Sequence, residues 1–581
     1  MNPAIQPVTQ IIPKHLLPFA ATQDSTLYSA IDHESWRYIL RVSKAFFTTH
    51  AHQKYLGGLE LTGIFAERIP LISEMDSHLQ KLGWRAVPVI GFIPPAVFME
   101  FLALGILPIA CDMRKLENLA YTPAPDIVHE AAGHAPILAD PHYAAYLKHY
   151  GEITWKAIYS LEDSKVYEAI FNLSVVKEDP ASTTDQISQA QKQFEQVQAA
   201  VSYVSEAACL ARMGWWTFEY GLIGDFHNPK IYGAGLLSSV SESHYCLRSE
   251  VKKVPFSIEC IHTAYDITRP QPQLFVSPDF ETLIRTLDKL ASTMAYKKGG
   301  IEGLEKAKKA QTITTTIFES GIQISGILVE ILKDPSGDPC YLKYQGPVQL
   351  SYDYKEIPNQ GTRHHKEGFS TPVGFIKEMG KPPSDLSQSE LENLGFKQNQ
   401  KALLEFASGI TVLGVLKSHI QKNGKNILLS FVDCTVKRGD QILFKPEWGT
   451  FDCACGSKVV SVFGNAADRT SYLESTGDLN LKIKTQKSNR TPKNSALEKL
   501  YAKLRTIRES HEVSLNELNP IHIELEKSFP NDWLLRLSLL ELSFTYKLKS
   551  PWETAVHKKL LEIAKTSTDK NEMITRGLEL L

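Results

Sequence analysis

The sequence predicts a mainly α-helical domain, followed by a β-rich domain and a C-terminal helical segment. Apolar residues recur at three- and four-residue steps through most of the first 300 residues, which is the period of an amphipathic helix. From residue 313 to 475 they alternate, with Gly and Pro between the runs, which favours strands. The chain has 581 residues, and at roughly 150 residues per domain this length allows about two to four domains. We therefore divide it into an N-terminal arm, a helical domain, a β-rich domain, a polar linker and a helical segment: residues 1–30, 31–300, 301–480, 481–494 and 495–581.

The helices of the first domain are predicted from apolar stripes. One helix begins near His33, and a second pattern spans 61–82, with Pro70 as the break at which a helix would start. A single long helix is predicted over 182–219, because an apolar stripe there faces a Gln-rich polar side. Short strands are expected near 245–280.

The second half contains strand-like runs and then further helical stripes. The strands are predicted at 322–332, 348–352, 410–416 and 427–432. Leu-rich stripes predict helices from residue 496 to the end, and either an intramolecular core or association with a second copy of the chain would explain them. Residues 300–581 resemble no family, and we expect a regulatory or oligomerising module there. A thiolate metal site at Cys453 and Cys455 would need further ligands, of which Cys434 is the nearest in sequence.

Charge and cysteine content exclude several classes of function. The chain has 63 Lys and Arg against 65 Asp and Glu, a net charge of −2, so no field of one sign attracts nucleic acid or an anionic membrane. Eight cysteines are too few for a disulfide scaffold of this length, so free thiols in a reducing compartment are expected. The Pro-rich N-terminus lacks the basic flank and apolar core of a signal peptide. We expect a cytoplasmic protein.

The most apolar stretch, 87–111, is long enough to span a bilayer. It carries Glu100 in its middle, and Pro94, Pro95 and Pro108 interrupt it. Because lipid cannot replace the backbone hydrogen bonds that proline breaks, we interpret this stretch as a buried core segment.

The segment YTPAPDIVHEAAGHAPIL, residues 121–138, carries the residues suited to chemistry. His129 and His134 are five positions apart, whereas the zinc-protease pattern places two His four apart on one helix face. On a straight α-helix this spacing is a rotation of about 140°. Both imidazoles can reach one metal only if the helix ends or deforms near Gly133. An acid from another helix would then complete a two-His-one-carboxylate site, which suits Fe(II) oxygen chemistry.

This region resembles the pterin-dependent aromatic amino acid hydroxylases. The resemblance rests on 122–138, WWTFEYGLI at 215–223 and IYGAGLLSS at 231–239, and it extends over about 33–295. It implies a monooxygenase that uses Fe(2+), tetrahydrobiopterin and O2 to hydroxylate an aromatic amino acid. Conversion of phenylalanine to tyrosine is favoured because the chain lacks the long N-terminal regulatory extension of many animal members of this family. Only about thirty residues precede the core. Tyrosine or tryptophan hydroxylation remains an alternative.

The resemblance also implies roles for individual residues. His129, His134 and Glu219 would bind iron, and Glu130 would be a catalytic acid that faces the pterin through water. Arg114 would hold the substrate carboxylate through its guanidinium fork. The other implied substrate contacts are Thr122, Pro125, Trp215 and Ser238, and the other implied pterin contacts are Gly91, Phe92, Ile93 and Phe98.

Two positions depart from the pattern of the hydroxylases. Ala124 stands where the family has an acid that forms an ion pair, and Gly214 stands where it has an aromatic residue that contacts the pterin. Two functions of other classes remain open as well. One is a zinc hydrolase that uses His129, Glu130 and His134, and the other is a non-catalytic sensor of aromatic amino acids.

Overall fold

The computed structural model describes residues 7–91, 93–120, 125–178, 182–267, 269–397, 399–477 and 495–581. Phe92, Thr122, Ala124 and the linker predicted at 481–494 lie outside these ranges. Helix is the more abundant secondary structure, with strand second, and the strands are concentrated between residues 313 and 464.

The first 310 residues are mainly helical. Their α-helices are Ala30–His50, Tyr55–Leu61, Ile72–Leu79, Pro95–Ala103, Pro141–Thr154, Leu161–Glu178, Thr184–Ala199, Glu206–Gly214, Ala234–Leu237, Glu242–Tyr245, Phe280–Ala291, Ala295–Lys298 and Gly300–Ala310. Two small sheets accompany them. Arg85–Val89 pairs in parallel with Ile106–Ala110, and a four-stranded sheet has the order Lys230–Ile231, Leu222–Ile223, Gln273–Ser277, Lys252–Pro255.

The strand-rich region consists of two antiparallel sheets. The six-stranded sheet has the order Lys355–Glu356, Pro339–Tyr352, Ile322–Lys333, Ile313–Phe318, Val459–Gly464, and Gly368–Pro372 also pairs with Pro339–Tyr352. The five-stranded sheet has the order Lys401–Glu405, Ile410–Lys422, Lys425–Arg438, Gln441–Phe444, and Phe451–Ala454 also pairs with Lys425–Arg438. Two short helices, Gln388–Asn393 and Arg469–Thr476, accompany the sheets. All four of the strand runs predicted here lie within observed strands.

Five helices end the chain: Ala496–Ser510, Leu515–Ser528, Leu534–Thr545, Glu553–Ala564 and Thr568–Leu578. Their buried leucines and isoleucines belong to the same continuous apolar core as the helices of the first domain. The strand-rich region has two further cores, one of which also includes Ile158 and residues of the helices Ala295–Lys298 and Gly300–Ala310. The C-terminal helices therefore pack on the first domain, although the two are far apart in sequence.

Two of the helix predictions are wrong in extent. The predicted helix 182–219 is broken, since Thr184–Ala199 ends before Glu206–Gly214 begins. The Ser205 side chain accepts a hydrogen bond from the Ala208 backbone N–H and so caps the start of a new helix. In the predicted pattern 61–82, only Ile72–Leu79 is a new α-helix, because Gly63 adopts a left-handed conformation (φ 78°) that ends the preceding one.

The apolar stretch 87–111 forms parts of two strands and the helix between them, Pro95–Ala103, and half of its described residues are buried. Glu100 on this helix accepts a hydrogen bond from His15 of the N-terminal arm (2.8 Å) and pairs with Arg469 from the strand-rich region. The acid in the apolar stretch thus has polar partners from two other parts of the chain. Within the described ranges, no helix combines the length and the apolar character needed to cross a membrane.

Candidate active site

The two histidines singled out in the sequence lie on a π-helical turn, Val128–His134. A π-turn bonds residue i to i+5, so it brings side chains five positions apart onto one face. The ring centroids of His129 and His134 are 5.0 Å apart. Gly133 permits the close packing of this turn, because a Cβ there would lie 2.7 Å from the carbonyl oxygen of Ala234. The deformation required by the spacing is therefore present.

A second π-helical turn, Trp215–Glu219, follows the helix Glu206–Gly214 and delivers the carboxylate. Glu219 Oε2 lies 3.2 Å from His129 Nε2, and Glu219 Oε1 lies 3.2 Å from His134 Nε2. His134 is buried, and Glu219 retains 19% of its side-chain exposure. Two imidazoles and one carboxylate thus converge from two distorted helices.

The hydrogen bonds around these ligands leave nitrogen lone pairs free for a metal. Ser238 Oγ donates to the Ala234 carbonyl oxygen (2.8 Å) and lies 3.1 Å from His129 Nδ1. It therefore accepts the Nδ1 proton of His129, so Nε2, which faces Glu219, is the nitrogen that remains to bind a metal. His134 Nε2 is buried and has no hydrogen-bond partner in the described part of the chain, despite its short distance to Glu219. This donor set fits a divalent transition metal such as Fe(II).

Burial and mutual attraction shape the charges of the site. Burial disfavours the imidazolium of His129, but the attraction of Glu219 outweighs this effect and raises its pKa to about 9. Burial also disfavours the ionised form of Glu219, yet the two histidines hold the pKa of this carboxyl well below its usual range. Glu130 is buried, and its pKa is raised, chiefly by that burial. A metal cation would take the place of the proton that Glu219 otherwise attracts.

Arg114 is buried and forms a bidentate ion pair with Asp126. Its Nε donates to Asp126 Oδ2 and its Nη2 to Asp126 Oδ1, both at 2.8 Å, while its Nη1 donates to the Ser238 carbonyl oxygen at 3.0 Å. Asp126 also accepts from the backbone N–H of His129 (3.1 Å), at the start of the π-turn. Three of the five guanidinium N–H groups are committed in this way, and the other two have no partner among the described residues.

The predicted aromatic wall at Trp215 is part of a stack of three rings. Its ring lies 4.5 Å from Tyr220 and 4.3 Å from Tyr265, close to parallel with the latter. Pro125 is exposed and lies just before the π-turn. Tyr265 is far from the motifs in sequence, and no local pattern pointed to it.

The residues predicted to contact the pterin approach the site from the side of His134. The Phe98 ring lies 6.2 Å from the His134 ring, and Glu130 Oε2, which has no hydrogen-bond partner among the described residues, lies 4.0 Å from His134 Nε2. Gly91 has φ 66°, and its N–H donates to Asp112 Oδ2 at 3.2 Å, which fixes the loop before the buried Ile93. Phe92 and Thr122, also predicted at the site, lie outside the described residues.

Comparison with known proteins places the two His motifs and Glu219 within a segment that matches one enzyme family. Residues 22–170 and 185–306 match the family described as biopterin-dependent aromatic amino acid hydroxylase. A phenylalanine-4-hydroxylase of Pseudomonas aeruginosa is 32% identical over 260 residues, which are 44% of this chain and 82% of that protein. The chain belongs to the biopterin-dependent aromatic amino acid hydroxylase family.

Other members of the hydroxylase family show similar coverage. A phenylalanine-4-hydroxylase of Chromobacterium violaceum is 31% identical over 268 residues, 46% of this chain and 75% of that protein. A crystal structure of the Chromobacterium enzyme contains iron(III) and 7,8-dihydrobiopterin. Its alignment with this protein covers 50% of this chain and 92% of the chain in the crystal, at 27% identity and a TM-score of 0.37. The family assignment rests on the sequence matches, which confirm the resemblance and count against a zinc hydrolase. The family match ends at residue 306.

Gly214, predicted from the sequence to depart from the family pattern, lies against two aromatic side chains. A Cβ on Gly214 would lie 2.7 Å from the Phe218 ring and 2.8 Å from the Tyr150 hydroxyl. A large side chain at this position would therefore displace both rings.

The structure also adds two residues that no sequence motif assigned to the site. Asp112 holds the loop at Gly91, and Tyr265 belongs to the aromatic stack of Trp215.

Proposed function

We propose that this chain is an iron- and tetrahydrobiopterin-dependent monooxygenase that converts L-phenylalanine to L-tyrosine with O2. The observation that carries the proposal is the convergence of His129, His134 and Glu219 from two π-turns within the segment that matches the hydroxylase family. Relatives from Pseudomonas and Chromobacterium that are named phenylalanine-4-hydroxylase support phenylalanine as the substrate.

In this proposal His129, His134 and Glu219 hold the iron. When bound, iron and pterin together supply the activation of O2. Ser238 keeps His129 in the tautomer whose Nε2 can bind the metal, and the π-turn sets the distance between the two imidazoles. The buried His134 and the surrounding aromatic rings keep bulk water away from the reacting groups.

Substrate binding is proposed for Arg114 and for residues of the neighbouring motifs. Arg114 would bind the substrate carboxylate with its two uncommitted N–H groups, while Asp126 fixes the plane of the guanidinium. Trp215, Pro125, Thr122 and Ser238 would orient the amino acid. For the pterin, the loop of Gly91, Phe92 and Ile93 would hold one edge, Phe98 would stack on the ring, and the carboxyl of Glu130 would face it through water.

The ligand assignment is tested with Glu219→Ala, purified without oxygen and loaded with Fe(II). We expect loss of stoichiometric iron and a fall in pterin-dependent tyrosine formation of more than about 100-fold, since even groups behind metal ligands are worth about 10- to 100-fold. Glu259→Ala is the matched control, because Glu259 is 76% exposed in the same domain. Wild-type iron content and turnover in Glu219→Ala would refute the assignment.

The choice of substrate is tested by offering phenylalanine, tyrosine and tryptophan to the full chain with tetrahydrobiopterin. The proposal expects the highest kcat/KM for phenylalanine. A higher value for tyrosine or tryptophan would identify the chain as the corresponding hydroxylase instead. Binding of the amino acids without turnover by the iron-loaded protein would support a sensor.

The domain division is proposed as 31–300 for the catalytic domain, 301–480 for a β-rich domain, 481–494 for a linker and 495–581 for a helical segment. The order of the observed helices and strands supports it, as do the two further cores of the strand-rich region, whereas 31–300 and 495–581 share one core. All eight cysteines are free, which supports a reducing compartment, and we propose the cytoplasm. Neither of the two groups of clustered metal-binding side chains among the described residues includes Cys434, Cys453 or Cys455, so a thiolate site has no support there.

A further inference from the structure

A second cluster of metal-binding side chains lies in the strand-rich region, outside the segment that matches the hydroxylase family. It consists of His364 and His365, which precede the strand Gly368–Pro372, and Asp452 on the strand Phe451–Ala454. One ligand atom from each residue lies within 4.8 Å of the others. Among the described residues, the one other such group belongs to the candidate iron site.

The imidazoles converge on one carboxylate oxygen. His364 Nε2 lies 2.8 Å from Asp452 Oδ2, and His365 Nε2 lies 4.0 Å from the same oxygen. The side-chain oxygen of Gln360 lies 2.7 Å from His365 Nε2. The two imidazoles and the Asp452 carboxylate thus lie close enough together to be ligands of one cation.

The surroundings hold these donors in place before any ion binds. The backbone N–H groups of His364 and His365 both donate to the Gly361 carbonyl oxygen, at 3.0 and 3.1 Å, so the turn is tight. The ring of His365 packs edge-on against Phe369 at 5.1 Å. Ser430 Oγ donates to Asp452 Oδ1 at 2.5 Å, which leaves Oδ2 for the histidines. Support of this kind behind the ligands is typical of metal sites.

The charge of Asp452 also calls for a cation. Asp452 and His365 are 4% and 7% exposed, and no Lys or Arg forms an ion pair with Asp452 in the part of the chain that the structure describes. A metal cation would add to the stabilisation that this buried carboxylate receives from Ser430 and His364. His364 retains 42% of its side-chain exposure, so the cluster has one side open to solvent through which an ion could enter.

We propose that His364, His365 and Asp452 form a second divalent-metal site of the zinc class. Two imidazoles and one carboxylate suit Zn²⁺, and the absence of thiolate from this group disfavours Cu(I). The open side leaves room for a water or an exogenous ligand on the ion. The site does not depend on the proposed hydroxylase function, because it shares no residue with the iron site.

The test counts Zn²⁺ ions on the full-length chain. Metal-free protein is dialysed against buffered Zn²⁺, and bound metal is measured by plasma mass spectrometry. The wild type is expected to bind two ions per chain, and the double variant His129→Ala/His134→Ala is expected to keep one, at the second site. His364→Ala and Asp452→Asn are each expected to lose one ion while retaining the other at the iron site. His419→Ala, which removes an exposed histidine of the same region, is expected to bind two.

The outcomes separate the two sites. If His364→Ala and Asp452→Asn bind as much Zn²⁺ as the wild type, the proposal is overturned. It is also overturned if the wild type binds a single ion that disappears in His129→Ala/His134→Ala. Should Asp452→Asn fail to fold, as judged by its circular dichroism melt, the result for His364→Ala decides, because that side chain is largely exposed and its removal opens no core cavity.

Discussion

The carboxylate of Glu541 in the helix Leu534–Thr545 is expected to stabilise the first helix of the chain, Ala30–His50. Arg37 on that helix donates to both oxygens of Glu541, at 2.7 and 2.5 Å, and Arg41 also pairs with it. The side chains of Arg37 and Glu541 are 8% and 10% exposed. Replacing Glu541 by Gln removes the negative charge that faces Arg37 and Arg41. The positive charge of the buried Arg37 then lacks its main partner.

The size of the effect follows from the burial. Breaking a buried ion pair by removing one partner costs about 3–5 kcal/mol. The unfolding entropy of about 2.1 cal/mol/K per residue, over the roughly 370 residues that share this core, is about 0.8 kcal/mol/K. A loss of about 4 kcal/mol therefore corresponds to a fall in Tm of about 5 °C.

The assay is thermal unfolding followed by circular dichroism, with Glu541→Gln and Glu509→Gln compared. Glu509 pairs with Arg505 on the surface of the helix Ala496–Ser510, where 59% of the Glu509 side chain is exposed. A surface pair of this kind contributes about 0–1 kcal/mol, so its loss should lower Tm by about 1 °C or less. Equal Tm values for the two variants would refute the view that the C-terminal helices share their stability with the first domain.

Three further predictions concern the site and its surroundings. Burial raises the pKa of Glu242 to about 7 from 4.5. Between these two pH values the folded state keeps a proton that the unfolded state has lost, so the stability of the wild type falls as pH rises from about 4.5 to 7. Glu242→Gln should therefore be more stable than the wild type by up to about 3 kcal/mol at pH 8 and by little at pH 4, as measured by thermal melts. Gly133→Ala should widen the π-turn and weaken iron binding in a metal titration, because its Cβ would lie 2.7 Å from the Ala234 carbonyl oxygen; unchanged affinity would show that the turn tolerates the shift. Arg469→Met removes one of the two partners of Glu100 and leaves His15 as the other. Because Glu100 lies on the same helix as Phe98, the variant should raise the KM for the pterin more than the KM for phenylalanine. Equal changes in both KM values would contradict this reasoning.

The candidate site could be predicted from the sequence because its chemistry is concentrated in short motifs. His129, His134 and Glu219 lie in two segments whose residues are dense in the family pattern, and the five-residue spacing itself indicated a deformed helix. Tyr265 could not be found in this way. It reaches Trp215 only through the packing of a segment that carries no motif, and such contacts depend on the tertiary fold rather than on local pattern.

The strands of the second half were predictable for a similar reason, because the alternation of apolar and polar residues is a local signal. The break in the predicted helix 182–219 was not predictable. The apolar stripe continues through the break, and the decisive feature is a single capping residue, Ser205, within a helical pattern. Periodicity identifies the face of a helix that is buried, but it does not fix where the helix ends.

The placement of the C-terminal helices could not be derived from their leucine stripes, which fit a second copy of the chain equally well. The informative residues are on the first helix, where Glu34, Arg37 and Tyr38 are buried although two of them are charged. Charged residues are almost never fully buried without partners. Here the partners come from the end of the chain. Arg508 pairs with Glu34 at 2.6 Å, Glu541 pairs with Arg37, and the Tyr38 hydroxyl donates to the Met573 carbonyl oxygen at 2.6 Å.

A chain that ends near residue 300 should therefore be unstable, even though it contains the complete match to the iron-binding motifs. Its loss of 495–581 would expose Tyr38 and leave Glu34 and Arg37 without these partners. Co-expression of 495–581 as a separate chain should raise the soluble yield and the Tm of the short chain, because the packing between the two parts does not require the peptide link between them. The measurement is soluble yield and thermal unfolding of the short chain with and without the added segment. A short chain that melts at the wild-type temperature by itself would show that the C-terminal helices are an appendage to the catalytic fold rather than part of its core.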